Sequence, residues 1–308
     1  MKRLRTLAIL FVAGLGLAVT GWMVTRSPAE MVVRLGINPW PGYEPLFLAE
    51  QRGLFQRHGL QVHLVEFTSV GDCLRGYQSG DIDAMATTLI EVALAKDQGL
   101  SGSPTPVIVA DVSEGADVIL AKSGTQGMTD VRGQRIGVEP ASLGMFILDR
   151  ALAKAGMTRG DITLVTMGQE EMKTALMSGE VAAVVTYAPY SIAMEKEGAR
   201  RVFTTKEIPN EVVDIVSVTP GLLQAQPDVA AKFQAVWADA MILLEQDREA
   251  SIATMAARQR ITPAEFIASL EGIRLVGGAQ QVDLLAPGGE VERSLAQVRK
   301  ILAVGAPQ

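Results

Sequence analysis

Apolar residues along this chain come in two rhythms, short runs of the strand kind and longer stretches with helical period. Residues 32–37 read as a strand. A stiff loop follows, Asn38-Pro-Trp-Pro-Gly-Tyr-Glu44, and then a helix over residues 45–57 opened by Pro45 and ending before Gly59. Pro39 and Pro41 fix φ on either side of Trp40, so the indole is presented by a rigid loop. Gly42 is expected to let the backbone turn tightly there. Residues 60–67 begin as an alternation, with Leu60, Val62 and Leu64 on one face and Gln61 and His63 on the other. A helix over 72–78 stops at Ser79-Gly80, and a strand covers 81–86. Thr87-Thr88 opens the next helix, where Thr88 and Glu91 have the spacing of a capping box. Apolar strands at 106–112 and 117–121 flank Ser113-Glu-Gly-Ala116, which marks a first crossing to a second lobe; Glu114 and Asp117 read as surface residues of that hinge.

The second lobe repeats the order. A strand at 135–138 leads through Glu139-Pro-Ala-Ser142 into a helix to residue 155, with Ser142 as N-cap candidate. A strand at 161–167 and a helix at 169–177 follow, then residues 181–186, which are β-branched or alanine throughout and read as a buried parallel strand. Tyr187-Ala-Pro-Tyr190 ends that strand and starts another helix. After a short strand at 200–203, residues 212–218 form the return crossing. The remainder is helical: 227–246, 248–258, a capping box at Thr262-Pro-Ala-Glu265, and 290–303, with the glycine-rich stretch 275–289 read as mostly loop.

Three echoes in the same order support two similar halves. Arg135-Ile-Gly-Val-Glu-Pro140 repeats Arg34-Leu-Gly-Ile-Asn-Pro39. Residues 162–167 match 62–67, and Met177-Ser-Gly-Glu-Val-Ala-Ala183 matches Gln78-Ser-Gly-Asp-Ile-Asp-Ala84. Two crossings through strand-like segments, with no low-complexity linker, point to a hinge.

At 308 residues the chain is long enough for one large core or two smaller ones. A net charge of −6, with no Lys/Arg run beyond the N-terminus, argues against a nucleic-acid surface. The single cysteine, Cys73, excludes an intramolecular disulfide and a cysteine metal cluster, and reads as a small core residue. Met1-Lys-Arg-Leu-Arg5 precedes an apolar run from Leu7 to Val24, the n-region and h-region of an export signal. The run is longer than the ~7–15 residues of an ordinary h-region. Pro28 spoils the cleavage site at Ser27-Pro-Ala29. Residues 1–29 are therefore expected to be a cleaved signal or a retained single anchor, with the rest outside the cytoplasm.

Nucleophilic catalysis is not indicated. His58 and His63, the two histidines, fall away from the predicted loops, and there is no Gly-x-Ser-x-Gly elbow, phosphate loop, dinucleotide fingerprint or metal-ligand spacing. No cofactor is implied. The strand ends supply recognition groups instead: Asn38, Trp40, Tyr43, Thr68, Ser69, Thr87 and Thr88 from the first lobe, Glu139, Ser142, Tyr187 and Tyr190 from the second. Open α/β sheets bind ligands at such ends. Several of these residues begin helices, whose free N–H groups attract an anion such as a sulfonate, carboxylate or nitrate. Glu139 and Asp214 are positioned to pair with an amine if they face the cleft. Removing the Trp40 ring is expected to weaken binding and leave the fold intact.

The run Gly42-Tyr-Glu-Pro-Leu-Phe-Leu-Ala49, Gly53-Leu-Phe, Gly59-Leu-x-Val62, Ser79-Gly-Asp-Ile-Asp-Ala84 and Thr87-Thr-Leu resembles the nitrate/sulfonate/taurine-type solute-binding proteins of ABC importers, thiamine-precursor binders included. The resemblance covers the chain after about residue 30 and is densest over 34–95. It implies an α/β protein of the type II periplasmic-binding-protein fold, with lobe one formed by 30–117 and 213–308 and lobe two by 118–212. It also implies a monomer in the periplasm, free or tethered through Leu7 to Val24, that closes on a small organic anion or zwitterion (sulfonate, taurine, nitrate or pyrimidine) and delivers it to an inner-membrane permease. The alternatives are a biosynthetic enzyme on the same fold, acting on a pyrimidine or small carboxylic acid, and an extracytoplasmic sensor module. The yeast-type pyrimidine synthases carry a cysteine cluster that this chain lacks.

Overall fold

The computed structural model describes residues 32–97 and 102–305. The expected export segment or anchor lies outside the described residues. Among the described residues no helix is long and apolar enough to cross a membrane.

In chain order the first repeat runs β1 (Val32–Ile37), α1 (Glu44–Gln51), α2 (Leu54–Arg57), β2 (Gln61–Glu66), α3 (Val70–Ser79), β3 (Ala84–Thr88) and α4 (Leu89–Asp97). The crossing strands β4 (Thr105–Ser113) and β5 (Asp117–Ala121) follow. The second repeat comprises β6 (Arg135–Val138), α5 (Leu143–Lys154), β7 (Thr163–Thr166), α6 (Gln169–Ser178), β8 (Ala183–Tyr187), α7 (Tyr190–Glu195) and β9 (Arg200–Thr204). The chain returns through β10 (Val213–Val218) into α8 (Pro220–Ala225), α9 (Val229–Gln246), α10 (Arg248–Arg258) and α11 (Pro263–Leu270). It ends with β11 (Ile273–Leu275), α12 (Gln281–Leu285) and α13 (Glu290–Gly305).

These strands make two sheets, a six-stranded one in the order β11-β4-β10-β3-β1-β2 and a five-stranded one in the order β7-β6-β8-β5-β9. The repeat is visible in their registers. Arg34 pairs with His63 and Leu35 with Ala84; one repeat later Arg135 pairs with Thr163 and Ile136 with Ala183. In both halves the first strand lies between the other two, all parallel, and the crossing strands β5 and β10 add antiparallel beside the third. Gly80 and Gly179 close the equivalent helices α3 and α6 in the left-handed conformation, with φ of +78° and +83°. Only glycine adopts that conformation at little cost, which is why helix-Ser-Gly-strand is written twice.

Several element boundaries differ from the sequence reading. The helix expected over 45–57 is two, broken where Gly53 takes φ +65°. Thr87 and Thr88 belong to the end of β3, and α4 starts at Leu89. The stretch 275–289 is not mostly loop. It holds α12, anchored because the Gln281 side chain bonds both the N–H and the C=O of Val109 at 2.8 Å. Trp237 Nε1 donates to Val276 O at 2.8 Å beside it. Those partners are far away in sequence, so no local pattern announces the helix. The helix α8 was also passed over, although Thr219-Pro220 is a cap signal and Thr219 Oγ accepts from Leu222 N at 3.2 Å.

The apolar core follows the sheets. Leu35, Ile37, Phe55, Val216, Phe233 and Trp237 are all fully buried on one face of the six-stranded sheet with α1 and α9. The opposite face belongs to a cluster that also contains Leu143, Phe146 and Ile147 of α5, so the two halves are packed together as well as connected. The carboxyl ends of β1 and β3 on one side, and of β6 and β8 on the other, meet at this contact.

Candidate functional site

The loop after β1 enters the contact first. Trp40 is 3% exposed, and Tyr43, in the short 3-10 turn Pro41–Tyr43, is fully buried. Trp40 Nε1 donates to Asp111 Oδ2 at 3.0 Å, and the Tyr43 hydroxyl donates to Asp214 Oδ1 at 2.6 Å. Asp111 on β4 and Asp214 on β10 face each other in register. Gly42 lies in that turn, and its missing Cβ also leaves room for this pairing. A Cβ there would stand 1.9 Å from Asp111 Oδ2 and 2.6 Å from Trp40 Nε1. Burial pushes the Asp111 carboxyl up to about 7. Burial, with repulsion from Asp111 and Asp117, holds Asp214 well above the usual carboxylate range.

Asp117 is not a surface residue. It opens β5 opposite Tyr187 of β8, is 1% exposed, and is pushed by burial up to about 7. The covering strand accounts for this; the hinge sequence around it does not reveal it. Glu114 is half-buried and takes a bond from Arg274 at 2.7 Å.

The five-stranded half supplies Glu139, Ser142, Tyr187 and Tyr190. Asn38 Nδ2 donates to the Tyr187 hydroxyl at 3.2 Å. The Trp40 and Tyr187 rings meet edge to face at 5.8 Å, and Tyr187 and Tyr190 at 5.7 Å. The Ser69 hydroxyl donates to the Glu139 carboxylate, and the Tyr190 hydroxyl to Thr68 O at 3.1 Å. Burial raises Glu139 to about 7, which the Ser69 bond opposes in part. Asn38 and Glu139 occupy equivalent positions in the two repeats, each just past its half's first strand.

Thr88 and Glu91 form the expected box: Thr88 Oγ1 donates to Glu91 Oε2 at 2.5 Å and Thr88 N at 3.1 Å. Glu91 does more. Its other oxygen accepts from Leu143 N, the first residue of α5 in the opposite half, at 2.8 Å. Ser142 therefore does not cap α5; its hydroxyl donates to Glu139 O at 3.3 Å. Thr88 N and Leu143 N thus already serve a carboxylate.

Asn38, Trp40, Thr68, Ser69, Glu139, Tyr187 and Tyr190 touch across the two halves, Tyr43 and Asp214 pair within the six-stranded half, and Thr87 is buried in β3. Thr68 is exposed at the rim of the contact and Tyr190 is half-buried. Sequence reasoning missed Asp111, gave Glu91 only a capping role, and took Asp117 for surface. A lone acid inside the apolar run 106–112 was the available signal for Asp111. A cavity of about 360 Å³ opens between the halves beside Ser69, Asp72, Arg75, Glu139 and Gln169. Among the described residues no three His, Cys, Asp or Glu side chains are grouped to hold a metal ion. Cys73 is buried, and burial pushes its thiol well up.

The model of the NMT1-like family matches residues 26–258. The chain belongs to the NMT1-like family. Two relatives of this NMT1-like protein are 28% identical to it over 46% of the chain and 29% over 61%. They are a 4-amino-5-hydroxymethyl-2-methylpyrimidine phosphate synthase of Schizosaccharomyces pombe and a candidate binding protein of Brucella abortus. The chain spans 40% and 56% of their own lengths. Among solved structures it is similar to the periplasmic aliphatic sulphonate-binding protein SsuA of Escherichia coli, with a TM-score of 0.71 at 20% identity over 89% of this chain and 87% of that one. The fold of this NMT1-like protein is thus the type II periplasmic-binding-protein fold.

Proposed function

We propose that this NMT1-like protein is the extracytoplasmic solute-binding component of an ABC importer. It captures a small organic anion or zwitterion of the sulfonate, taurine, nitrate or pyrimidine class and delivers it to an inner-membrane permease. The observation that carries this reading is the meeting of equivalent strand ends across the cleft, Asn38 with Tyr187 and Ser69 with Glu139. A surface built by two repeats facing each other encloses a solute from both sides, as a binding protein requires. The similarity to a sulphonate-binding protein supports it.

In this reading residues 30–117 with 213–308, and 118–212, move as two lobes about the crossing strands. Solute docks on one lobe and the other swings over it. The solute shifts the open–closed balance only by its differential affinity for the two states. Asn38, Trp40, Tyr43, Ser69, Thr87, Thr88, Glu139, Ser142, Tyr187, Tyr190 and Asp214 form the enclosing surface, with Thr68 at its rim. The protein acts as a monomer, exported or tethered by its N-terminal segment. Binding without turnover is supported by the histidines. His58 bonds Asp239 at 2.8 Å on the α9 side, and His63 is exposed on β2, so neither serves the cleft.

The test is calorimetry on purified protein with sulfonates, taurine, nitrate and pyrimidines, alongside small-angle scattering. Stoichiometric binding with a smaller radius of gyration supports capture. Chemical conversion of a bound compound would replace it with the synthase-like reading.

A further inference from the structure

Five carboxylates, those of Glu91, Asp111, Asp117, Glu139 and Asp214, are buried where the halves meet, none more than 4% exposed. Among the described residues no lysine or arginine side chain is buried with them. The donors they receive from other residues are neutral: the Trp40 indole, the Tyr43, Ser69, Thr88 and Ser113 hydroxyls and backbone N–H groups. Buried carboxylates without a cation are costly unless something neutralises them.

A second observation is independent of that cluster. Asn38 is 2% exposed, its amide nitrogen is held by Tyr187, and its Oδ1 has no donor. Thr87 Oγ1, fully buried one strand away, has no partner either. Asp117 Oδ2 shares that condition, whereas Asp111 and Asp214 hydrogen-bond to each other. The Asn38 amide oxygen and the ionised Asp117 carboxylate only accept, and the Thr87 hydroxyl can accept as well, so an N–H donor complements all three. Of the helix ends at this contact, those of α4 and α5 are occupied by Glu91.

We propose that the solute enclosed here carries a cationic nitrogen with N–H donors, an ammonium or amidinium group, which Glu139 and Asp117 neutralise. This rests on the solute-capture reading and narrows it: a bare sulfonate or nitrate does not fit, and a zwitterion binds through its nitrogen end. Glu139 is placed for first contact, because it lines the interlobe cavity. A metal ion is disfavoured, since the carboxylates are not grouped as a ligand set.

Charge linkage gives a signature. The groups facing this layer are Tyr43 from the loop after β1, Glu91 from α4, Tyr187 from β8 and the acids of β4, β5 and β10, with the exposed Arg274 of β11 acting on Asp111. Asp72 and Arg75 face Glu139 from α3, paired with each other. In the protein alone burial raises Asp111, Asp117 and Glu139 to about 7. A cation favours their charged forms, so its binding expels protons and tightens as pH rises; an anion does the reverse.

The experiment is calorimetry with taurine and ethanesulfonate, which differ by one ammonium group, and with benzamidine and nitrate, in two buffers of different ionisation heat. Expected is binding of taurine or benzamidine with proton release, affinity rising by up to about tenfold per pH unit between 6 and 7, and at least tenfold weakening in both Glu139→Gln and Asp117→Asn. The proton count on the unaltered protein stands even if a variant fails to fold. Binding of ethanesulfonate or nitrate alone, or affinity unchanged in the folded variants, overturns the charge class and leaves solute capture standing. Binding of none of the four, with unchanged scattering, overturns both.

Discussion

The Glu91 side chain and the Leu143 backbone belong to different halves of the molecule, and a hydrogen bond of 2.8 Å joins them. One carboxylate thereby closes two helix ends at once, its own α4 through Thr88 and α5 across the cleft. A capping group normally serves the helix it starts. Here the cap of the second repeat comes from the opposite half, so under the proposed closure helix-end satisfaction is coupled to it.

Replacing that carboxylate tests the coupling. Glu91→Ala leaves the N–H groups of Thr88 and Leu143 without their acceptor, at about 1–3 kcal/mol for each buried group left unpaired. Urea denaturation should show a loss of at least about 2 kcal/mol, and scattering a larger radius of gyration than that of the parent. Unchanged stability would mean that Ser142 takes over as the α5 cap.

Trp40 is the second test. Its burial, its bond to Asp111 and its edge contact with Tyr187 mean that truncation affects the fold as well as the site. This corrects the expectation that the ring could be removed without structural cost. Trp40→Ala is expected to lose about 3–5 kcal/mol of stability, as large core truncations do. Trp40→Phe keeps a ring against Tyr187 but strands Asp111, for about 1–2 kcal/mol. Thermal melts of both variants check the order.

The two-lobe plan was legible because its signals are local and written twice: Arg34 and Arg135 head equivalent strands, and Ser-Gly ends equivalent helices. That the two sets of strand ends face each other was legible for the same reason, since a repeat fixes which end faces its copy. What stayed hidden depends on long-range packing. Asp117 reads as hinge surface until β8 covers it, and Gln281 anchors a helix only through Val109. Glu91 looked complete as the acid of a capping box, and nothing near it in sequence announces Leu143. Counting helix ends along the sequence does not show that Thr88 N and Leu143 N are already held by that carboxylate.

The buried acids also set a pH dependence for the protein without solute. Asp111, Asp117 and Glu139 are raised to about 7, so the folded state binds protons that the unfolded chain, with carboxyl pKa values of about 4, has already released. The stability they contribute is complete below about pH 4 and falls as pH rises toward 7, by on the order of 1.4 kcal/mol per pH unit for each titrating group. Asp72 and Asp83, lowered by side-chain hydrogen bonds that outweigh burial, act in the opposite sense and lose stability only as pH drops below about 4. Melting temperature should therefore decline from pH 5 to pH 7, and Asp117→Asn should flatten the decline. A melting temperature that rises over this interval would contradict the assignment.

A single methyl group can separate closure from folding. Gly71 lies in the first turn of α3, where a Cβ would meet Glu139 Oε1 at 2.5 Å and Ser142 Cβ at 3.5 Å, both across the cleft. No neighbour from its own half is among those nearest atoms. Alanine favours a helix over glycine by up to about 1 kcal/mol, so Gly71→Ala should leave the melting temperature level or slightly raised. The same methyl group stands where the Ser69–Glu139 contact forms and acts as a wedge between the halves. Scattering should report a larger radius of gyration, and calorimetry with a bound solute a weaker affinity, by several-fold and not more, because the Glu139 side chain can swing partly aside. Gly42→Ala is the contrasting control. Its Cβ would fall on the Trp40–Asp111 bond within one half, so stability should drop while any effect on closure follows from that loss. If Gly71→Ala instead unfolds the protein, or closes as tightly as the parent, the Ser69–Glu139 contact is not the surface that limits closure.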